Sequence, residues 1–213
     1  MVSEGGIQLE ILGVVGSSRK NGNTDILVKK VLEGVNSCGM TSQLIYLKDY
    51  KINDCIGCEK CKTDFKCVFK DGMQDIYPLI EKADAIVIGS PTYFYSVTGI
   101  MKNFLDRLYC YEIFDDDDRS VWMGINEVTG IKYAVTVAVC EQATDIDMGY
   151  ATLIMNQSIS SLGYRVVEDI KAYNSFAKGD VLKHEKQIDN AAKAGMKLAQ
   201  YLLLNKRIKN KLS

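Results

Sequence analysis

The chain has 213 residues, of which 47% are hydrophobic and 25% are charged, a composition typical of one globular domain with a full core. Its 26 basic and 27 acidic residues nearly cancel, so we expect no nucleic-acid partner and no membrane partner. The N-terminus lacks the apolar run of a secretory signal, and no segment stays apolar for the roughly 18 residues of a membrane span. We therefore expect a cytoplasmic protein.

Short apolar runs alternate with helical patterns along the chain. The first predicted strand, residues 7–15, is followed by a helical pattern from Thr24 to Val35. The further predicted strands are residues 42–47, 85–89, 132–140 and 165–170, and the further predicted helices are residues 74–83, 100–108, 148–162 and 178–207. This alternation favours one α/β domain over residues 1–213, with a flavodoxin-like, doubly wound, five-stranded parallel sheet in the order 2-1-3-4-5.

The turn between the first strand and the first helix, residues 16–24, has the composition of an anion site. Free backbone N–H groups and the helix dipole favour a phosphate at such a position. The alternative is a polar turn that caps the helix. The candidate contacts in this turn are Ser17, Ser18, Arg19, Asn23 and Thr24.

The turn after the third strand carries three consecutive aromatic residues without the periodicity of a core element. In open α/β sheets, ligands bind where strands end, so a planar ring would fit here, stacked or edge-on. The alternative is that the aromatic rings pack beneath the loop. The candidate residues are Pro91, Thr92, Tyr93, Phe94, Tyr95 and Ser96.

The two turns together resemble those of the flavodoxin-like NADPH-dependent FMN reductases, whose first turn reads G-S-x-R-x-x-G-N-T and whose third-strand turn reads P-x-Y. The resemblance covers roughly residues 7–170. It implies FMN, with the first turn on its phosphate and residues 91–96 around its ring. Ser18 stands where proline is common. We add Cys140 and Glu141, after the fourth strand, as a third contact, although this turn lacks the usual glycines.

Four of the seven cysteines form the pattern C-x2-C-x2-C-x5-C within residues 48–73, the predicted insertion between strand 2 and helix 2. Thiolates three residues apart on one loop favour a shared ligand, and a single compact run is typical of a 4Fe-4S cluster. Zinc and free or redox-active thiols are the alternatives. The candidate ligands are Cys55, Cys58, Cys61 and Cys67.

A flavodoxin-like domain with this cysteine run before its second helix resembles the iron-sulfur flavoprotein family. The resemblance implies FMN and a 4Fe-4S cluster in one chain, a role in electron transfer, and a homodimer or homotetramer in which cofactors of neighbouring subunits approach each other. Because the loop cysteines are predicted to be exposed, aerobic handling is expected to strip the cluster.

These features predict an FMN-dependent oxidoreductase that exchanges electrons with NAD(P)H, a ferredoxin-type partner or a small-molecule acceptor. The alternatives are an NAD(P)H-dependent FMN or quinone reductase without a functional cluster, and a non-catalytic redox or metal sensor. Since parallel strands end at one edge of the sheet, we expect the cysteine loop and both flavin loops on the same side. The acidic segment 111–130 is interpreted as a solvated loop, with a lid or a docking patch as the alternatives.

Overall fold

The computed structural model describes residues 9–212 and has a five-stranded parallel sheet with helices on both faces. The strands are β1 (Glu10–Val15), β2 (Thr41–Tyr46), β3 (Ala85–Pro91), β4 (Glu112–Phe114), β5 (Trp122–Gly124), β6 (Lys132–Val139) and β7 (Tyr164–Ala172). The helices are α1 (Asn23–Asn36), α2 (Met73–Lys82), α3 (Gly99–Arg107), α4 (Ile125–Thr129), α5 (Asp145–Met148), α6 (Ala151–Ser160) and α7 (Glu185–Leu212).

The sheet order confirms the predicted fold. The strands run β2-β1-β3-β6-β7, all parallel, which is the order 2-1-3-4-5 of the five predicted strands. The short strands β4 and β5 form a separate antiparallel hairpin within the predicted connection 111–130. Their three-residue length is too short to give a strand pattern in the sequence.

The core lies in two layers, one on each face of the sheet. Helices α1 and α7 cover one face, where Val28 and Leu198 are fully buried. Helices α2, α3 and α6 cover the other, around Phe104 and Met155. Burial of apolar side chains on both faces explains why the central strands are continuous apolar runs.

Helices α1 and α7 approach each other at two glycines. A Cβ built on Gly195 would lie 1.9 Å from the carbonyl oxygen of Val31, and one on Gly34 would lie 2.2 Å from that of Ala192. These distances exclude a side chain at either position. The apolar stripe of α7 therefore includes a glycine because the two backbones are in contact there.

Three predicted elements differ from those observed by more than two residues at one end. Residues 7 and 8 of the first predicted strand lie outside the described residues. The predicted helix 148–162 is divided into α5 and α6, because Gly149 has a φ of +61°. The last helix is α7, Glu185–Leu212, rather than 178–207, and a 3-10 turn, Asp180–Lys183, precedes it.

Within residues 9–212, no helix has the length and apolar character needed to span a membrane.

A buried ion pair closes the base of the cysteine loop. The Arg107 guanidinium donates to both carboxylate oxygens of Asp71, at 2.6 and 3.1 Å, and to the carbonyl oxygen of Asn53, at 3.0 Å. Asp71 also accepts the backbone N–H groups of Asn53 and Met73. Burial would raise the pKa of Asp71, but the hydrogen bonds from Arg107 and these two N–H groups hold it below its usual value. The pair thus joins both ends of the loop to the end of α3.

Replacing Asp71 with alanine is expected to lower the free energy of unfolding by about 3–5 kcal/mol, because Arg107 would stay buried without its carboxylate. The matched control is Asp106→Ala, which removes the exposed partner of Lys102 and is expected to cost less than about 1 kcal/mol. Chemical denaturation measures both losses. Equal losses would show that the buried pair does not stabilise the loop base.

Candidate functional site

A crevice opens between the ends of β1 and β3. These strands are neighbours in the sheet, but the helix after β1 packs on one face and the helix after β3 on the other. The turns are held together by a hydrogen bond from Gly16 N–H to the carbonyl of Gly89, at 2.7 Å, and one from the Thr98 hydroxyl to the carbonyl of Gly16, at 2.6 Å. This is the position at which open α/β sheets bind ligands.

The first turn of α1 offers open hydrogen-bond donors to this crevice. The first intrahelical bond runs from Ile26 N–H to the carbonyl of Gly22, so the N–H groups of residues 23–25 precede it, and no side chain caps the helix. The Ser17 and Thr24 side chains are buried beside these groups. Such a start attracts an anion through both its N–H groups and the helix dipole.

The side chain of Asn23 has a different partner from the predicted phosphate. Its amide nitrogen donates to the carbonyls of Ser175 and Ala177, at 3.0 and 2.9 Å, and its oxygen accepts the N–H of Val181 at 3.2 Å. With its side chain engaged in this way, Asn23 offers an anion its backbone N–H. The side chain positions the loop after β7 beside the crevice.

Arg19 also contacts the loop after β7. Its guanidinium donates to the carbonyl of Phe176 at 3.1 Å and lies 5.7 Å from the centre of that ring. The loop after β7 is thereby joined to the start of α1 by two side chains. Sequence reasoning missed this loop, although its place after the fifth strand is the signal that would have identified it.

The predicted ring-binding loop is a strained turn. Phe94 and Tyr95 both have positive φ, at 47° and 65°, and Tyr93 and Ser96 exchange backbone hydrogen bonds across them. Glycine and asparagine are usual in such turns, and bulky residues there cost on the order of 1–3 kcal/mol each. The Phe94 side chain is 97% exposed. Strain combined with an exposed ring indicates a functional loop rather than aromatic side chains packed beneath it.

The turn is supported by the junction of α5 and α6. The N–H of Tyr150 donates to the carbonyl of Tyr95 at 2.8 Å, and a Cβ on Gly149 would lie 2.4 Å from that carbonyl oxygen. Glycine is required at position 149 by both this close approach and its positive φ. The break in the predicted helix therefore has a role in positioning the aromatic turn.

The crevice is a cleft of about 420 Å³. Nine of the predicted cofactor contacts line it: Ser17, Arg19, Asn23, Thr24, Pro91, Thr92, Tyr93, Phe94 and Glu141. Sequence reasoning missed five other lining residues: Gly22, Val139, Ser175, Phe176 and Lys178. Predicted contacts outside this lining are Ser18, Tyr95, Ser96 and Cys140.

Cys140 lies behind the cleft wall. It is buried, its N–H donates to the carbonyl of Ala172, and its carbonyl accepts the N–H of Ser175. Burial raises the pKa of its thiol, so it stays protonated at neutral pH. In this structure its backbone joins the ends of β6 and β7.

A second cavity, also of about 420 Å³, lies at the opposite edge of the sheet. Its lining includes Ile80 at the end of α2 and Tyr164, the first residue of β7. The Lys132 ammonium beside it already donates to the carbonyls of Ile80 and Glu81. The cavity therefore has fewer free hydrogen-bond donors for a phosphate than the open helix start in the cleft.

The four predicted cluster ligands are free thiols on the loop between β2 and α2. Cys55 and Cys58 are exposed, and Cys61 and Cys67 are half-buried. Within residues 9–212, no three metal-binding side chains are arranged to hold an ion. Burial raises the pKa of the Cys61 thiol, and the adjacent Lys62 opposes that shift. The donor set has the chemistry of a cluster site, but the loop does not hold it in a ligating arrangement.

The cysteine loop does not lie on the side of the sheet where the sequence led us to expect it. Cys55 lines a cavity with Ser161 and Leu162 at the end of α6, and residues 64–66 lie beside the first residues of β6 and β7. Both places belong to the edge opposite the cleft. The connection is long enough to descend along α3, whose nine residues rise about 12 Å from first to last.

The acidic segment 111–130 packs on the cysteine loop. The Lys62 ammonium donates to the carbonyls of Tyr109 and Glu112, at 2.8 and 3.0 Å, and lies 3.4 Å from the centre of the Tyr109 ring. Arg119 pairs with Glu59 at 2.8 Å. The segment therefore forms a hairpin that contacts the cysteine loop. The four aspartates, Asp115–Asp118, are exposed in its turn, as a solvated loop requires.

The family model for NADPH-dependent FMN reductase matches residues 9–139, which include both turns of the cleft and the cysteine loop. The chain belongs to this family. An iron-sulfur flavoprotein of Archaeoglobus fulgidus is 48% identical over 103 residues, which is 46% of this chain and 48% of that protein. One of Methanocaldococcus jannaschii is 37% identical over 99 residues, 46% of this chain and 51% of that protein. The predicted resemblance is confirmed, and each match spans about half the length of the curated relative.

The fold of this FMN reductase family member is also found among solved structures. The NAD(P)H:quinone oxidoreductase from Methanothermobacter marburgensis superposes with a TM-score of 0.65 and 15% identity, covering 90% of this chain and 99% of that one. At this identity the likeness concerns the fold.

Gly149→Ala is expected to weaken FMN binding by about tenfold or more, because the new Cβ would displace the Tyr95 carbonyl and the aromatic turn. The matched control is Gly39→Ala, which also has a positive φ but whose Cβ would meet no atom within 4 Å. Gly39→Ala should lose about 1–2 kcal/mol of stability to positive-φ strain. Gly149→Ala should lose more, because its ψ of −130° lies outside the left-handed region and its Cβ meets the Tyr95 backbone. Fluorescence titration with FMN separates them. An unchanged dissociation constant in Gly149→Ala would remove the turn from the binding site.

Proposed function

We propose that this chain is an FMN-dependent oxidoreductase that binds FMN in the cleft between β1 and β3. The observation that carries the proposal is the pairing of an open helix start with an exposed aromatic turn across one crevice. The open N–H groups of α1 suit a phosphate, and the aromatic turn suits a planar ring. Membership of the FMN reductase family supports the same assignment.

The proposed phosphate contacts are the N–H groups at the start of α1 and the hydroxyls of Ser17 and Thr24. Arg19 lines the cleft and adds positive charge, although its guanidinium also donates to Phe176. Residues 91–96 and Glu141 are proposed around the ring. Bound FMN supplies the redox chemistry, since it accepts a hydride and releases electrons singly or in pairs. The chain itself orients the ring and leaves one side of the cleft open to a second reactant.

We propose NAD(P)H or a ferredoxin-type protein as the electron donor and a small molecule or a ferredoxin-type protein as the acceptor. The cleft is open to solvent beside Phe94, which would admit a planar donor or acceptor to the ring. Family membership supports a pyridine nucleotide.

We further propose a 4Fe-4S cluster on Cys55, Cys58, Cys61 and Cys67. Three of these thiols are equally spaced in sequence, all four are free, and the curated relatives are named iron-sulfur flavoproteins. Because the thiols are not in a ligating arrangement, assembly requires the loop to rearrange, as is common for metal sites.

A second candidate function is an NAD(P)H-dependent FMN or quinone reductase without a functional cluster. The separation of the cysteine loop from the cleft favours it, since the two lie at opposite edges of the sheet. We propose that the first function instead uses a homodimer or homotetramer, in which the cysteine loop of one subunit reaches the cleft of another. The exposed apolar residues beside the cleft, Phe94, Ile146 and Tyr150, support such contacts.

The purified protein is expected to contain about one noncovalent FMN per chain and to be reduced anaerobically by NADPH or NADH. Absorbance at the flavin band measures both the content and the reduction.

Steady-state turnover with a quinone or ferredoxin distinguishes an enzyme from a sensor, and sedimentation velocity tests the proposed oligomeric state. Failure to bind added FMN at any concentration up to millimolar would contradict the proposed function.

Protein prepared without oxygen is expected to contain about four irons per chain together with acid-labile sulfide. Cys58→Ser should lose most of this iron while keeping FMN, because the cysteine loop lies away from the cleft. Cys38→Ser, which changes another exposed cysteine outside the pattern, is the matched control and should keep both. Stoichiometric zinc without iron or sulfide would contradict the cluster and favour the second candidate function.

A further inference from the structure

A carboxylate is buried where the proposed phosphate would bind. Asp25 lies in the first turn of α1, and its side chain is fully buried. An acidic residue generally stabilises the start of a helix. Here, however, its negative charge lies within one turn of the proposed dianionic phosphate and repels it. This repulsion indicates that the Asp25 carboxylate has another role that outweighs it.

Asp25 holds the turn that precedes α1. One carboxylate oxygen accepts the backbone N–H of Asn21 at 2.6 Å. Asn21 has a φ of +56°, and this left-handed residue reverses the chain just before α1. The next N–H, of Gly22, then donates to the carbonyl of Arg19 at 2.9 Å. Asp25 thus fixes the turn that precedes the open N–H groups of the helix.

Two side chains that do not line the cleft also contact Asp25. The Tyr46 hydroxyl, at the end of β2, donates to the carboxylate at 3.2 Å. The Lys29 ammonium lies 3.1 Å from it and also donates to the Asn21 side-chain oxygen at 3.3 Å. Lys29 partly offsets the negative charge that would oppose a phosphate. The carboxylate is consequently anchored to the sheet and to its own helix, as well as to the turn.

We propose that Asp25 is a positioning residue for the FMN phosphate. Its carboxylate holds residues 19–22 in the conformation that leaves the N–H groups at the start of α1 open to the phosphate. The inference rests on the proposed binding of FMN in this cleft. A phosphate-positioning residue, unlike a residue with a general structural role, affects ligands that carry a phosphate and spares those without one.

The test compares FMN with riboflavin, which has the same ring and lacks the phosphate. In Asp25→Ala, the FMN dissociation constant should rise by at least about tenfold, since the Asn21 N–H loses a charged acceptor. The riboflavin dissociation constant should change less than about twofold. Asp25→Asn keeps an acceptor for the Asn21 N–H and removes the opposing charge, so it should bind FMN about as tightly as the wild type.

The matched control is Asp49→Ala, which removes a nearby exposed carboxylate that pairs with Lys20 of the same turn. It should leave both flavin affinities within about twofold. If Asp25→Ala does not fold, Tyr46→Phe provides the second test, because it loosens Asp25 without touching the turn. It should weaken FMN severalfold and spare riboflavin.

Equal weakening of FMN and riboflavin in Asp25→Ala, or no weakening of either, would overturn the inference while the proposed function stands. The same holds if Tyr46→Phe, used in its place, affects both flavins equally. If the wild-type protein binds no FMN, the proposed function fails and the inference fails with it.

Discussion

The site depends on one constraint of the sheet. β1 and β3 are hydrogen-bonded neighbours, but the chain leaves them toward opposite faces, because α1 packs against one layer of the core and α3 against the other. The turns after the two strands must separate, and the space between them is the cleft. The open start of α1 and the strained aromatic turn face each other for this reason. Contacts such as the hydrogen bond from Gly16 to Gly89 then fix the separation.

Two of the polar side chains predicted to bind the ligand also organise the protein around the cleft. Asn23 and Arg19 hold the loop after β7. Asp25, which was not a predicted contact, holds the turn before α1. The proposed phosphate site is consequently made mainly of backbone N–H groups, whose direction is set by these side chains. Backbone donors fixed in this way need no rearrangement on binding, which reduces the entropic cost of association.

The position of the cysteine loop depends on a different set of contacts. The buried pair Arg107–Asp71 closes its base, and Lys62 joins it to the hairpin formed by β4 and β5. These contacts hold it at the edge opposite the cleft, so the proposed flavin site and the cysteine loop are separated within one chain. An assembly that brings two chains together would remove this separation.

The sequence was sufficient for the strand order and for the two turns, because apolar runs, a glycine-containing turn and clustered aromatic residues are local signals. It was insufficient for Gly149, Ser175 and Phe176, whose roles arise from contacts between distant segments. The path of the cysteine loop was also missed, since it depends on one buried ion pair between residues 36 positions apart. The hairpin was missed because its strands are three residues long.

A crystal structure of the protein with FMN would show where the ligand binds. We expect the phosphate on the N–H groups of Asn23 and Thr24, with the ring beside Thr92 and Phe94. FMN bound instead in the cavity between the end of α2 and the start of β7, or bound with its phosphate away from the start of α1, would contradict this expectation.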